Sequence, residues 1–486
     1  MLTMTETNPA PTHHADNHKW LALTVLCLGV LMDVLDTTIV TVALPSIKND
    51  LHFDDTSLAW VINAYMLTFG GFLLLGGRLG DLYGHRKWFL IGIAGFALTS
   101  LACGLAQSQE MLIVARAAQG IAGAVIAAVA LSLIMDLFPE PVERAKAMGV
   151  YSFVASAGGS IGTMLGGVLT HALNWHWIFL VNLPVGAAVI AFSLKLLPDT
   201  HNEKADPRLD VSGAITVTAG MLLAVYAVIN GNSAGWASAQ TLGLLGAAVV
   251  LLAIFLAIEA RVAHPLMPLG MFRLRNVSTA NAIGVLWAAA MFAWFFLSAL
   301  YMQQVLGYDP LQVGLAFLPA NLIMAAFSLG LSAKVVLRFG IRWPIVAGLA
   351  LAALGLALFA RAPVNGGFAL DILPGMLLLG LGAGLAFNPV LLAAMSDVNP
   401  SESGVASGLV NTSFMMGGAL GLAVLASLAA AQTGNALAAN VDKIVAINSG
   451  YHAAFFVGAV FALLAAALAA VFIRAGAPAG DAMSAH

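Results

Sequence analysis

Long apolar runs broken by short polar stretches dominate the chain. They fall at about 20–44, 57–79, 88–107, 111–136, 146–170, 178–198, 210–230, 239–260, 277–304, 311–337, 344–360, 370–396, 406–431 and 450–473. Each is close to the roughly 20 residues that a helix needs to cross a hydrocarbon core. The pattern therefore predicts fourteen transmembrane helices in an all-α integral membrane protein. A β-barrel would need segments of about ten residues alternating apolar and polar, and these runs are continuous.

Two polar stretches, 199–208 (DTHNEKADPR) and 261–276 (RVAHPLMPLGMFRLRN), bracket two of the spans. They divide the chain into six, two and six. The expected organisation is a cytoplasmic tail (1–19), an N-terminal six-helix bundle (20–198), a linker with two extra transmembrane helices (199–262), a C-terminal six-helix bundle (263–474) and a second cytoplasmic tail (475–486). Six-helix halves built from nested three-helix repeats are a transporter architecture, in which substrate sits between the halves near mid-membrane and the halves rock to alternate access. The first 19 residues contain His13, His14 and His18 but neither a basic n-region nor a short apolar h-region, so they read as a tail and not as a signal peptide.

Composition sharpens this picture. Hydrophobic residues make up 60% of the chain and charged residues 9%, against about 25% charged in a soluble protein. That is too little charge to dress a water-facing surface or to neutralise a nucleic-acid backbone, and the net charge of -3 points to no partner. Cys27 and Cys103 both lie inside apolar runs, so no disulfide framework is indicated. The placement of basic residues is more informative, because cytoplasmic loops collect Lys and Arg. With the N-terminus inside, sixteen of the twenty basic residues fall on the inner side, from Lys19, Arg78, Arg86 and Lys87 through to Arg342 and Arg474. Only Lys48, Arg361 and Lys443 fall outside, and Arg116 is within a span. Both termini are thus expected in the cytoplasm.

The sequence has no G-x-x-x-x-G-K-[ST] phosphate loop and no H-E-x-x-H pattern. No cofactor or metal is expected, and energy has to come from a gradient or a partner. Gly158-Gly159-Ser160-Ile161-Gly162 satisfies the hydrolase pattern G-x-S-x-G. That pattern needs a strand-to-helix turn, and this segment lies mid-span. Its glycines have another reading: Gly158, Gly162 and Gly166 recur every four residues on one face of the fifth span, where small residues let helices approach closely. Gly120 with Ala124, Gly380 with Gly384 and Gly417 with Gly421 repeat the device on other spans.

Ionisable groups inside spans cost about 2.5–3.5 kcal/mol each on insertion scales, so they mark function. Asp33 and Asp36 sit near the middle of the first span, three positions apart and on one face. Arg116 sits about a turn and a half into the fourth, where snorkelling to the interface is the alternative reading. The two aspartates are candidates for proton exchange or substrate binding, against the alternative of a structural hydrogen bond to a neighbouring helix.

These residues carry a family resemblance. Leu35-Asp36-Thr37-Thr38-Ile39-Val40-Thr41-Val42-Ala43-Leu44-Pro45 resembles the first-helix signature of the fourteen-helix drug:proton antiporters of the major facilitator superfamily. Gly77-Arg78-Leu79-Gly80-Asp81-Leu82-Tyr83-Gly84-His85-Arg86-Lys87 is similar to the superfamily's loop between helices 2 and 3. There Gly84 permits a tight turn, and Asp81 and Arg86, with Arg144 as a third candidate, form an expected cytoplasmic gate. Arg116-Ala117-Ala118-Gln119-Gly120 resembles the motif assigned to proton transfer. Trp175-His176-Trp177-Ile178-Phe179 with Asn182 and Pro184 looks like the junction of helices 5 and 6, and residues 404–421 resemble the second-half signature.

Departures stand beside the matches. The family's fifth helix reads G-P-x-x-G-G, but Thr163 occupies the proline position between Gly162 and Gly166-Gly167. A proline there removes a backbone hydrogen bond and bends the helix, whereas threonine bends it only weakly. Asp33 is an acid where the family has an apolar residue. The resemblance implies proton-coupled efflux of amphipathic small molecules by alternating access, with no enzymatic activity and with Asp36 as proton carrier. It also implies a periplasmic adaptor and an outer-membrane channel as candidate partners. The alternatives are a dedicated exporter of one metabolite, such as an antibiotic or siderophore, and a non-transporting membrane sensor or scaffold.

Overall fold

The computed structural model describes residues 13–54, 56–198, 210–262, 265–327, 331–395, 398 and 403–474. Among them there is no strand. In chain order the helices are α1 (His13–Leu51), α2 (Trp60–Tyr83), α3 (His85–Gly104), α4 (Gln109–Leu137), α5 (Pro141–Ala172), α6 (Asn182–Leu196) and α7 (Val211–Ala234). They continue with α8 (Ala239–Glu259), α9 (Arg275–Leu300), α10 (Pro310–Ala326), α11 (Arg342–Phe359), α12 (Leu373–Met395), α13 (Ser403–Ala438) and α14 (Lys443–Phe472). Among the described residues, twelve helices are long and apolar enough to cross a membrane, and Pro310–Ala326 is a shorter apolar one.

The polar breaks end helices by identifiable chemistry. Ser108, Asp210, Ser238 and Asp442 each accept a hydrogen bond from the first turn of α4, α7, α8 and α14 respectively, which satisfies backbone donors that a helix start leaves open. Asp309 and Gln312 form a reciprocal capping box at α10, whose first residue is Pro310. Between α2 and α3 the chain turns at Gly84, whose φ of 97° is unfavourable for a side chain. Its N–H donates to the Gly80 carbonyl at 2.9 Å.

Three boundaries differ from the apolar pattern. Helix α1 starts at His13, inside the expected tail, because no proline or glycine after Pro11 stops it. The run at 178–198 opens with a separate turn of helix, Trp177–Leu180, before α6. The run at 311–337 is α10 followed by a second helix, Ser332–Phe339.

Packing repeats along the chain. In the first six helices α1 packs on α5 and α2 on α4; in the last six, α9 packs on α13 and α10 on α12. These are the first-with-fifth and second-with-fourth pairings of each set. The glycine seams make them. A Cβ at Gly158 would lie 2.9 Å from Val34 Cγ1, and one at Gly166 would lie 2.6 Å from the Ile39 carbonyl, so α5 rests directly on the α1 backbone. Gly120 brings α4 onto the Tyr65 carbonyl of α2, Gly380 meets Ala320, and Gly421 meets Ala289.

The two sets of six meet through α2 against α13 and α5 against α10. Gly167 lies against Pro310 and Leu311, and Gln303 donates to the Val42 carbonyl at 3.0 Å. These contacts close the end at which α1 and α9 finish. The pair α7 and α8 is not a detached appendage, because α7 packs on both α2 and α13. Asn232 donates to the Ser427 carbonyl at 2.7 Å and to its hydroxyl at 2.9 Å, while the Ser427 hydroxyl donates to the Val228 carbonyl.

Candidate functional site

Five helices of the N-terminal set converge on Asp36. Its side chain is 0% exposed and that of Arg116 1%, yet the pair is fully partnered. Arg116 Nη1 donates to Asp36 Oδ2 and, at 2.7 Å, to Gln119 Oε1. Its Nε donates to the Val61 carbonyl at 2.9 Å. Gln119 Nε2 and Asn182 Nδ2 both donate to Asp36 Oδ1, at 2.9 and 3.1 Å. The Ser100 hydroxyl accepts from the same two amides. The guanidinium also lies 4.5 Å from the Tyr65 ring centroid, within cation–π range. Arg116 therefore points into the bundle and does not snorkel.

Asp33 lies one turn earlier on α1 and takes a different partner. Tyr65 of α2 donates its hydroxyl to Asp33 Oδ1, and among the described residues no salt bridge reaches this acid. The pair needs space from α4: a Cβ at Gly123 would lie 2.5 Å from Asp33 Oδ1 and 2.6 Å from the Tyr65 hydroxyl oxygen. Two acids on one helix face thus have contrasting surroundings. One is neutralised by a guanidinium and two amides, whereas the other meets a single phenol.

The remaining motif residues are spread over the fold. Gly77 and Gly84 lie at the α2 end, and a Cβ at Gly77 would only touch Ala128 at 3.7 Å. The side chain of Asp81 lies outside the described residues. Arg86 donates to the Leu194 carbonyl of α6, and His85 Nδ1 lies 2.9 Å from Asp136 Oδ2 at the end of α4. Arg144 donates to the carbonyls of Phe138 and Pro139. These partners all lie in the N-terminal set.

Two contributors to the acidic site, Tyr65 and Ser100, are absent from the sequence reading, and two more, Gln119 and Asn182, enter it only as members of quoted motifs. Gln119 had a usable signal, because it lies three residues after Arg116 and so shares its helix face. Tyr65 had none, since an aromatic residue in an apolar run reads as core.

The sequence profile of the Major Facilitator Superfamily matches residues 26–422. The chain belongs to this superfamily. Among superfamily relatives, the cephamycin export protein CmcT of Amycolatopsis lactamdurans is 39% identical over 93% of this chain and 92% of its own. The multidrug resistance protein Stp of Mycobacterium tuberculosis is 38% identical over 87% of this chain and 78% of its own. The crystal structure of PepTSo, a POT family transporter, matches with a TM-score of 0.68 at 16% identity, over 92% of this chain and 97% of that one. That likeness concerns the fold. The chain is a multi-pass membrane protein of major facilitator type.

Proposed function

We propose that this transporter exports amphipathic small molecules from the bacterial cytoplasm across the inner membrane, exchanging them for protons by alternating access. The observation that carries the reading is the buried acid pair on α1 in a chain whose relatives include a cephamycin export protein and a multidrug resistance protein. The proposed topology has fourteen spans, with the Pro141–Ala172 and Pro310–Ala326 helices added to the twelve that are long and apolar enough to cross a membrane. Both termini then lie in the cytoplasm. The halves are 20–198 and 263–474, joined through 199–262. The closed end, where Gln303 meets Val42, is then the outer one, and the cargo path in this conformation opens inward.

Asp33 is the group that takes up and releases the proton, and Asp36 with Arg116 is its fixed neighbour. Three donors converge on the Asp36 carboxylate, and one of them is the Arg116 guanidinium. Asp33 has one neutral donor and can alternate while Tyr65 keeps it in position. Export costs the cell one coupling proton at most per Asp33, and a membrane potential contributes about 2.3 kcal/mol per charge per 100 mV. Proton-driven uptake of a fluorescent dye into inverted vesicles tests this. Asp33→Asn should abolish coupling while still binding dye. Full coupling in Asp33→Asn would return the role to Asp36.

A second reading is a dedicated exporter of one compound, and the export protein of a single antibiotic among the relatives favours it. A resistance profile in an efflux-deficient host separates the two: protection against several unrelated compounds supports broad efflux, protection against one supports the dedicated role.

A further inference from the structure

The third and sixth helices of the C-terminal set, α11 and α14, pack on each other and mainly on their own set. Between them runs an apolar groove of about 620 Å³, lined by Leu354, Ala357 and Leu358 of α11 and by Ala453 and Phe456 of α14. The buried rings of Phe359 and Phe455, 5.3 Å apart, join the two helices behind it. Leu354 and Phe456 are more than half exposed. In a multi-pass membrane protein that exposure is to acyl chains, and apolar walls alone select no lipid, since lipid tails are as apolar as leucine.

A cation at the end of the groove changes this. Arg361 follows α11 closely, lines the groove and is exposed. Among the described residues no acid pairs with it. The backbone that carries it is nevertheless fixed on all sides. The Arg361 N–H donates to the Leu358 carbonyl at 3.1 Å, and Tyr301 donates its hydroxyl to the Pro363 carbonyl at 2.8 Å. From α14, His452 Nε2 and Asn448 Nδ2 both reach the Ala362 carbonyl, at 2.7 and 3.0 Å; a carbonyl only accepts, so the imidazole proton sits on Nε2. Depth follows from helix length. The 18 residues of α11 rise about 27 Å, close to the roughly 30 Å of a hydrocarbon core, which puts Arg361 at headgroup level.

We propose that this groove holds one anionic phospholipid, with an acyl chain along Leu354, Ala357 and Phe456 and its phosphate on the Arg361 guanidinium. The planar fork of arginine suits a phosphate, which it can grip with two parallel hydrogen bonds. A zwitterionic headgroup brings its own cation to the same place, so the anionic lipid is preferred. The space suffices: a methylene takes about as much room as a water, roughly 30 Å³, and an acyl chain therefore fits. A small soluble anion would satisfy Arg361 but leave the apolar walls uncovered. The assignment does not depend on what the transporter carries.

The test uses the full chain carrying Phe456→Trp, in nanodiscs of phosphatidylglycerol and phosphatidylcholine in equal parts, with bromines on the acyl chains of one lipid or of the other. Bromine quenches tryptophan on contact, and subtracting the unsubstituted protein in the same nanodiscs isolates the introduced indole. Its quenching should report phosphatidylglycerol over phosphatidylcholine by about fivefold, the worth of one arginine beside an anionic headgroup. Adding Arg361→Ala should bring the two lipids to equality, whereas Arg361→Lys should keep part of the preference. Ala357→Leu fills the groove and should also level the two signals, with Arg361 still present. Arg338→Ala removes another exposed arginine and should change nothing. Equal quenching before any of these changes, or a preference that survives Arg361→Ala, would overturn the assignment. So would inorganic phosphate levelling the two signals at constant ionic strength, which would give Arg361 to a soluble anion.

Discussion

Asn321 of α10 donates a hydrogen bond of 3.0 Å to the Thr163 hydroxyl of α5, from one half of the transporter to the other. Thr163 stands at the proline position of the fifth-helix signature that the sequence resembles, and α5 runs unbroken through it from Pro141 to Ala172. A proline would have no hydroxyl to offer α10. Opposite the threonine, Gly314 brings α10 to 2.7 Å from the Thr163 carbonyl, as measured from an ideal Cβ. The substitution therefore exchanges a helix bend for a tie between the halves.

The tie predicts a conformational bias. Interhelical hydrogen bonds in membranes average about 0.6 kcal/mol, roughly threefold in an equilibrium. Thr163→Val and Asn321→Leu should each lower the ratio of the conformation closed at this end to the open one by about that factor. The double variant should do no more than either alone. Distances between spin labels on α5 and α10 report the populations, and additive effects would show that the two side chains act separately.

Gly123 offers a second prediction, because it leaves room for the Asp33–Tyr65 hydrogen bond. Gly123→Ala puts a methyl group against both oxygens, so it should separate them without touching either residue. Its transport should match that of Tyr65→Phe, with normal insertion and a several-fold loss of proton-driven uptake. Gly123→Ala with wild-type uptake would mean that the pair is only structural.

The comparison of sequence with structure divides along the range of the interaction. Helix positions and seams were legible because continuous apolar runs and four-residue glycine spacing are properties of one helix. Gly158, Gly162 and Gly166 do face a neighbouring backbone, that of α1. Partners were less so. Arg116 had two readings in the sequence because nothing along α4 says whether its side chain turns inward; Asp36 of α1 decides it. The Thr163–Asn321 bond joins positions 158 residues apart, and no local pattern announces such a pairing. Arg144 donates to the carbonyls of Phe138 and Pro139, and its expected pairing with Asp81 lies outside the described residues.

Arg116 and Asp36 give a stability prediction. Removing one partner of a buried ion pair strands the other charge at a cost of about 3–5 kcal/mol. Arg116→Ala should therefore reduce the amount of folded protein in the membrane sharply. Arg116→Lys keeps the charge but loses the fork that serves Asp36, Gln119 and the Val61 carbonyl together, so it should be intermediate. The combination Arg116→Gln with Asp36→Asn removes both charges and should recover folding. Fluorescence-detected size exclusion measures each step, and equal yields from Arg116→Ala and the wild type would contradict the buried pairing.

The last prediction concerns two further acids, at the ends of the extra helix pair. Asp210 caps α7, with its Oδ1 accepting from the Gly213 N–H at 2.8 Å and from the Ser212 hydroxyl at 2.9 Å. Glu259 ends α8, with its Oε2 accepting from the Met267 N–H at 2.8 Å. Their other oxygens, Asp210 Oδ2 and Glu259 Oε1, are buried without partners among the described residues. Both face the α-carbon of Gly213, where an added Cβ would lie 2.4 Å from the first and 2.8 Å from the second. Two acceptors in one buried space repel and leave lone pairs unmet. In Glu259→Gln the amide oxygen still accepts from Met267, while the new NH₂ donates toward Asp210 Oδ2. This variant should be more stable than the wild type by about 1–2 kcal/mol, read as a raised melting temperature. Glu259→Leu removes the repulsion but also the Met267 bond, and should gain less. A lowered melting temperature in Glu259→Gln would mean that the two carboxyl groups already share a proton, which the amide cannot replace.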